Sequence, residues 1–301
     1  TLVSMGGTCS FGALLRSGLE DKGYRVVEAP PPLRRSARRG KDDAIDAHRA
    51  ATAVLGMDSA HLVEPRQYGI RKSLRVLLVG REAMNTQTTA QINQLTALVR
   101  IVDLGVDARK ALTRSQISQI AAWRKRSEEE HLQICRSEAV RLAQTIIAGR
   151  LDLETNKQQL QRLVQALHPE LLDLVGVGPV TAARFIIVWS HHGRIRSEAA
   201  FAALAGVSPI PASSGNNKRM RLNRSGDRAL NNALHTVVLA RLSWDETTKA
   251  YMTKRITEGK TKRETIRVLK HYTARQIYRT LNRTGQPATA ANPHTQSEQP
   301  T

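Results

Sequence analysis

The sequence predicts a mixed, mostly α-helical fold with a small N-terminal α/β unit, a long helical arm and a helical C-terminal domain. Three observations predict this fold. The chain starts with the order strand, glycine turn, helix and strand; two long stretches then have apolar residues at helical spacing; and a glycine hairpin is followed by further helical patterns. With 301 residues and 41% hydrophobic content, the chain can bury a substantial core. We expect domains at residues 1–66, 67–166 and 167–283, and a disordered, polar tail at 284–301.

The N-terminal unit begins with a short apolar strand at residues 1–5, followed by a glycine-rich turn. Leu14, Leu15 and Leu19 predict a helix, and residues 26–27 predict a second strand. One such unit is too little for a sheet domain. We therefore expect either that further strands precede this stretch or that the domain is incomplete.

Two aspartates open the next helical pattern. Asp43 and Asp46 are three residues apart, so both carboxylates project from one face of the first turn. Such a pair can hold a hard divalent cation such as magnesium, which takes one or two carboxylates together with waters and phosphate oxygens. Alternatively, Asp42 or Asp43 simply caps the helix, whose first turn favours acidic residues in any case. The pattern leaves both interpretations open.

The middle third of the chain predicts a helical arm. Apolar residues recur at helical spacing from residue 70 to about 101 and from 128 to about 167, with a basic connector between them. We expect two antiparallel helices that form a scaffold or a dimer contact, without the sustained heptads of a regular coiled coil. The stripes comprise Leu74, Leu77, Leu78, Ile92, Leu95 and Leu98 in the first helix, and Leu132, Ala139, Leu142, Ile146, Leu151, Leu160 and Leu163 in the second.

A Val-Gly-Val-Gly-Pro turn at residues 175–179 separates two helical patterns. This order is typical of a helix-hairpin-helix element. Backbone amides near Gly176 and Gly178 could then face a nucleic-acid phosphate with no side chain in the way. A tight turn used only for packing is the alternative.

The stretch from residue 212 to 228 places two hydroxyls beside a glycine and then a dense run of cations. Ser213 and Ser214 are candidate nucleophiles, because guanidinium groups stabilise the charge that develops on a phosphate electrophile. The alternative is a solvated basic loop rich in turn-forming residues. The candidate phosphate-binding cations of this stretch are Lys218, Arg219, Arg221, Arg224 and Arg228.

The composition points to a polyanionic partner. The formal net charge is +20, so nucleic acid is the leading partner class, and no apolar run approaches the roughly 18 residues that span a membrane. Cys9 and Cys135 lack metal-ligand spacing, and two such distant cysteines argue against a disulfide framework. A basic helix predicted from residue 253 to 281 contains Lys262 and Arg263, which either contact phosphates or form a solvated face.

Taken together, these motifs resemble a known family. Thr-x-Ser-Phe-Gly at residues 8–12, Gly-Lys-x-Asp-x-Ile-Asp-Ala at 40–47, Val-Gly-Val-Gly-Pro at 175–179, and Ala-Gly-Val-x-Pro with Ser-Ser-Gly at 205–215 are similar to motifs of DEDD-type insertion-sequence transposases of the IS110 type. Each motif is weak alone, whereas the combination is specific. The resemblance covers nearly everything from Thr1 to about Leu281.

The resemblance implies a RuvC-like (RNase H-like) N-terminal domain, a helical arm and a C-terminal domain with a nucleophilic serine. It implies DNA recombination through a phosphoserine intermediate, a magnesium-binding Asp-Glu-Asp-Asp set, a homo-oligomer (dimer or tetramer) and guidance by a structured RNA. Asp43 and Asp46 match the last two acids, and Ser214, with Ser213 in reserve, matches the nucleophile. A bacterial cytoplasmic protein associated with the nucleoid is also implied.

Two of the four family acids do not fall on this chain. Gly6 occupies the position of the glutamate, and the first aspartate belongs to a strand upstream of Thr1. We therefore expect an N-terminally truncated or decayed copy. Two functions from different classes follow: an active transposase, and a catalytically decayed remnant that only binds nucleic acid.

Overall fold

The computed structural model describes residues 1–8, 10–30, 42–66, 69–211, 220–221, 223 and 225–284. Most of these residues are helical, as the sequence predicts. The predicted tail lies outside the described residues, apart from Thr284, with which the last helix ends.

The N-terminal unit is a two-stranded parallel sheet with one crossover helix. Strands β1 (Leu2–Met5) and β2 (Arg25–Glu28) pair in parallel, and helix α1 (Ala13–Asp21) connects them, which confirms the predicted order. Helix α2 (Asp43–Leu55) packs against β1. Most of the apolar residues predicted for α1 are not buried: Leu14 is 83% exposed and Leu15 is 62% exposed.

The arm consists of helix α3 (Ile70–Ile101) and helix α5 (Glu130–Leu167), close to the predicted bounds. The connector is not a plain basic loop, since it contains helix α4 (Arg114–Ala121). Thr113 and Gln116 form a reciprocal capping box that starts α4.

The predicted stripes of the arm face inward, with one exception. Leu74, Leu95 and Leu160 are fully buried, whereas Leu151 is 68% exposed, so its assignment to the stripe is wrong. Near the middle of the arm, the two helices meet through polar contacts. The buried Asn156 donates to the Leu77 carbonyl (3.0 Å) and accepts from Arg81 (3.3 Å).

The C-terminal part is a group of helices with one short strand pair. Helices α6 (Pro179–Trp189) and α7 (Glu198–Leu204) precede the antiparallel strands β3 (Ile210–Pro211) and β4 (Met220–Arg221). Helices α8 (Arg228–Trp244), α9 (Glu246–Thr257) and α10 (Lys262–Thr284) follow. Short 3-10 turns occur at Ser59–His61 and Pro169–Leu171.

The basic segment from residue 253 to 281 is helical as predicted, but it is divided between two helices. The chain breaks between α9 and α10, where Gly259 has φ +82°. Thr261 and Glu264 then form a reciprocal capping box that starts α10: the Glu264 carboxylate accepts from the Thr261 amide (2.9 Å), and Thr261 Oγ1 accepts from the Glu264 amide (3.2 Å).

Two separate apolar cores stabilise the molecule. The larger core combines α6, α7, α8 and α10 with the beginning of α3 and the end of α5, and its centre includes Phe185 and Phe201. The smaller core lies at the far end of the arm, where α4 packs against α5 and contributes Ile117. Because the beginning of α3 meets the end of α5, these helices are antiparallel. Within the described ranges, no helix is long and apolar enough to cross a membrane.

Candidate functional site

The aspartate pair lies in the first turn of α2, where the sequence predicts it. Both side chains belong to exposed residues, and Asp46 Oδ1 lies 3.5 Å from Arg49 Nη1. Ser4 of β1 donates to the Ala50 carbonyl at 2.6 Å, one turn after Asp46, and this contact holds α2 on the sheet. Asp42 occupies the N-cap position of α2, but its side chain accepts no capping hydrogen bond. The structure therefore gives no hydrogen bond in support of the interpretation that Asp42 caps the helix.

Among the described residues, no further carboxylate, histidine or cysteine joins Asp43 and Asp46 in a metal-binding group. Across the described residues, no group of three or more His, Cys, Asp and Glu side chains is arranged to hold a metal ion. Gly6, which follows β1, has open space where a side chain would begin: a Cβ there would have no neighbour within 4 Å. A longer residue at position 6 is therefore sterically acceptable.

Strands β3 and β4 lie on either side of residues 212–219, a segment with the two candidate serines that we call the serine loop. Ile210 pairs with Arg221 and Pro211 with Met220, so the chain leaves and returns at one place. Ser213, Ser214, Lys218 and Arg219 lie between the strands, and Arg224 shortly after them; all five are outside the described residues. The structure describes only the strands on either side of this loop and the residues that flank them.

A close crossing of two backbone segments fixes the base of the serine loop. Gly206 (φ +65°) and Gly226 (φ +111°) lie against each other, and the Asp227 amide donates to the Leu204 carbonyl at 2.7 Å. Asp227 then caps α8 by accepting from the Leu230 amide (2.9 Å). The segments before and after the serine loop are thus tied to each other and to α8.

The glycine hairpin before α6 is present, but its backbone is largely occupied by internal contacts. Gly176 (φ +80°) packs against α8, where a Cβ would lie 2.8 Å from the Val237 carbonyl oxygen. The Gly178 amide donates to Thr181 Oγ1 (3.0 Å). The amide of Val180, in the first turn of α6, has no acceptor within the helix. Phosphate binding by this element therefore stays a prediction.

The described candidate cations are exposed, and three of the four lie at helix N-termini. Arg228 is the first residue of α8, and Lys262 and Arg263 are the first two residues of α10. A cation is unfavourable at the positive end of a helix dipole, so a bound anion would stabilise these positions. In the part of the chain that the structure describes, these three residues and Arg221 have no carboxylate within 4.0 Å.

The sequence did not identify a group of cations that converges beside β4. Arg221, Arg255, Lys260, Arg267 and Lys270 line one concavity there. The helical spacing of residues 264, 267, 268 and 271 would have indicated a shared face of α10. Only the break at Gly259 brings the end of α9 to the same place.

Two family models match this chain over separate ranges. A model for DEDD-type IS110 transposases matches residues 1–102, and a model described as "Transposase IS116/IS110/IS902 family" matches residues 168–253. Comparison with curated proteins gives no significant match. The two ranges contain the aspartate pair and the serine loop respectively, in the family order. The chain belongs to the IS110 family of transposases.

Proposed function

We propose that this chain cleaves and rejoins DNA as the transposase of an insertion sequence, with Ser214 as nucleophile and Ser213 as the reserve candidate. The observation that carries the proposal is the strand pair β3–β4. It brackets both serines, its base is fixed by the crossing at Gly206 and Gly226, and exposed cations lie beside it. Membership of a transposase family supports the reaction class and DNA as the substrate.

In the proposed reaction, the Ser214 hydroxyl attacks a DNA phosphodiester. A bond forms between the serine oxygen and phosphorus, the bond from phosphorus to one deoxyribose oxygen breaks, and that oxygen receives the serine proton, directly or through water. A deoxyribose hydroxyl of another strand then attacks the phosphoserine, which rejoins DNA and returns a proton to serine. Negative charge develops on the phosphate in both steps, and guanidinium groups such as Arg221 and Arg228 stabilise it.

Asp43 and Asp46 are the proposed magnesium ligands. Their two carboxylates suit an ion that takes one or two protein carboxylates and fills its remaining positions with water and phosphate oxygens. When bound, the ion would polarise the phosphate or activate the serine hydroxyl. The chain contributes the position of the pair, because Ser4 anchors α2 to the sheet one turn away.

Further features of the family are proposed here with support from the fold. The parallel β1–β2 unit with its crossover helix supports a RuvC-like domain at residues 1–66, and the turn at Gly176 supports a helix-hairpin-helix element within 167–283. The exposed Val76 (65%), Val79 (64%) and Leu151 (68%) support a homo-oligomer formed through the arm at 67–166. The net charge of +20 supports binding of a structured guide RNA besides DNA.

The test is to trap the covalent adduct. The protein is incubated with magnesium, a plasmid that carries the element with its flanking DNA, and RNA transcribed from the element, and denaturation-resistant protein–DNA adducts are measured. We expect Ser214→Ala to abolish the adduct and Ser225→Ala, a nearby exposed serine hydroxyl, to retain it. Retention of the adduct in both Ser214→Ala and Ser213→Ala would show that the nucleophile is elsewhere.

A second candidate function is nucleic-acid binding without catalysis. Gly6 at the position of the family glutamate, and the lack of a third described ligand beside Asp43 and Asp46, favour it. Because position 6 has open space, Gly6→Glu should fold normally. This function predicts DNA binding without an adduct in the natural chain. Restoration of the adduct by Gly6→Glu would attribute the lost chemistry to the missing glutamate.

A further inference from the structure

A concave basic pocket lies beside the base of the serine loop. It has a volume of about 440 Å³ and is enclosed by the turn after α7, strand β4, the end of α9 and one face of α10. Gly206 forms part of its wall, and Gly206 is also one of the two glycines of the backbone crossing. The pocket is therefore held at a defined position relative to the strands that bracket Ser213 and Ser214.

Four of the five described cations that line this pocket form no close ion pair. Throughout the described residues, no carboxylate lies within 4.0 Å of Arg221, Lys260, Arg267 or Lys270. Among the described residues that line the pocket, Glu264 carries the one carboxylate, and it accepts hydrogen bonds from the amide and hydroxyl of Thr261. These hydrogen bonds, and to a smaller extent the charges of Lys260 and Arg267 at longer range, lower the pKa of Glu264. Four unpaired cations around one concavity repel each other, and an anion placed among them would remove that repulsion.

Arg255 and Glu258 form the only ion pair at the pocket's margin within the described structure. Arg255 Nη1 lies 2.5 Å from the Glu258 carboxylate, so this cation is already compensated. It differs in this respect from the four unpaired cations. The unpaired group is therefore the part of the pocket that an anion would contact.

The floor of the pocket contains polar groups that are partly removed from water. Lys270 donates to Asn231 Oδ1 at 2.9 Å, and burial, together with the charge of Arg267, lowers the pKa of Lys270. Next to it, His271 Nδ1 is buried and has no hydrogen-bond partner among the described residues. Burial and the charge of Arg275 lower the pKa of His271. A ligand that supplies negative oxygens would accept further hydrogen bonds from the Lys270 ammonium group.

We propose that this pocket binds a backbone phosphate of the DNA strand that enters the serine loop. Arg267, Lys260 and Lys270 contact the phosphate oxygens, and Arg221 on β4 connects the bound phosphate to the loop. The pocket thereby positions the strand relative to the proposed nucleophile. Neither Lys262 nor Arg263 lines the pocket, so it is distinct from the cations at the start of α10. The choice of DNA rests on the proposed function, whereas the anion site itself does not.

The test measures equilibrium DNA binding, which requires no catalysis. A duplex of about 40 base pairs and arbitrary sequence is titrated at several salt concentrations with the wild-type chain and with the double variant Lys260→Gln/Arg267→Gln, both of whose side chains are exposed. The control is Lys157→Gln/Lys249→Gln, which removes the same charge from lysines that already pair with Glu154 and Glu246. An RNA duplex of the same length is titrated in parallel.

We expect the pocket variant to bind DNA roughly tenfold more weakly at about 0.1 M salt and the slope of log affinity against log salt to fall by about 1–2. The control should change both values much less. Equal losses in the two variants, or a loss confined to RNA, would overturn the proposal. This binding measurement does not depend on adduct formation. It therefore tests the pocket even if a serine variant, or the wild-type chain itself, forms no adduct.

Lysine acetylation provides a second readout that does not depend on a variant. With DNA bound, Lys260 and Lys270 should be protected from acetylation at least severalfold, whereas Lys157 and Lys249 should react as in the free protein. Unchanged reactivity of Lys260 and Lys270 under saturating DNA would contradict a phosphate in this pocket.

Discussion

At the scale of single residues, Gly206 and Gly226 have the most restricted positions beside the candidate site. A Cβ on Gly226 would lie 2.7 Å from the Gly206 amide nitrogen and 2.7 Å from the Leu204 carbonyl oxygen. A Cβ on Gly206 would collide with the Ser225 carbonyl oxygen. Both glycines also have positive φ, which L side chains rarely adopt. The crossing therefore requires glycine for space as well as for conformation.

The first prediction concerns Gly226→Ala. The added methyl group would force the two backbone segments apart at the base of the serine loop. We expect the free energy of unfolding to fall by about 2–4 kcal/mol, measured by urea denaturation. We also expect loss of the DNA adduct before loss of global folding, because strands β3 and β4 would no longer be held in place beside the pocket.

Gly259→Ala provides the matched control for this prediction. Gly259 also has positive φ (+82°), but a Cβ there has no neighbour within 4 Å. Gly259→Ala should lower the free energy of unfolding by only about 1 kcal/mol, which is the cost of placing an alanine at positive φ. Equal losses of stability in Gly226→Ala and Gly259→Ala would show that the close crossing is not the cause.

At the scale of elements, a charged contact joins the short helix α7 to α10. Glu198, in the first turn of α7, lies 2.6 Å from Arg275 Nε and 2.5 Å from Arg279 Nε. The guanidinium groups of Arg279 and Arg275 lower the pKa of Glu198 to about 2. Since α10 forms one wall of the basic pocket and the turn after α7 forms another, this contact holds two walls together.

The second prediction is a pH-dependent effect of Glu198→Gln. The folded-state pKa of about 2 lies below the ordinary value of 4.5, so this carboxylate stabilises the fold above about pH 4.5 and loses its effect as the pH falls through about 2. We expect Glu198→Gln to lower the melting temperature at pH 7 by about 2–4 °C. The difference from wild type should shrink steadily between pH 4.5 and 2.

Glu138→Gln is the corresponding control, because Glu138 pairs with a single arginine, Arg141, on an exposed face of α5. Its melting temperature should stay within about 1–2 °C of wild type. If Glu198→Gln also has no effect at pH 7, or an effect that persists unchanged near pH 2, the contact does not fasten α7 to α10.

At the scale of the whole molecule, the two apolar cores divide the chain into parts with separate sources of stability. Buried apolar side chains of the larger core surround Phe185, and those at the end of the arm surround Ile117. Between them the arm is held by polar contacts, such as Arg81 with the Leu153 carbonyl at 2.7 Å. Burial lowers the pKa of Arg81, opposed by the charge of Glu154. We therefore expect the end of the arm to unfold locally.

The third prediction tests this separation with Ile117→Ala. Removal of a fully buried side chain from α4 should cost about 2–5 kcal/mol within the smaller core. Amide hydrogen exchange should accelerate in α4 and the adjoining parts of α3 and α5, while α6 and α8 remain protected. Phe185→Ala should have the opposite distribution. Uniform acceleration in both variants would show one cooperative unit instead of two.

Much of the helical fold could be predicted because its signals are local. The apolar stripe from residue 70 to 101 has helical spacing, and the structure places α3 at those residues. The missed elements also had local signals that were not used: Thr113 with Gln116 starts α4, and Gly259 with the Thr261–Glu264 box separates α9 from α10. By contrast, nothing local indicates that Leu151 is exposed, because that depends on what the opposite helix presents.

The sequence by itself determined the family, the placement of Asp43 and Asp46 in one helical turn, and the pairing of a carboxylate motif with a serine loop. The family follows from the order of the motifs along the chain. The placement of the two aspartates follows from their spacing, because residues three apart lie on one face of a helix. Only the tertiary structure decided that Gly206 and Gly226 cross beneath the loop, and that Arg221, Lys260 and Lys270 meet in one pocket. Such convergence depends on how distant elements pack, since the burial of apolar surface in the core sets those positions and the charges follow.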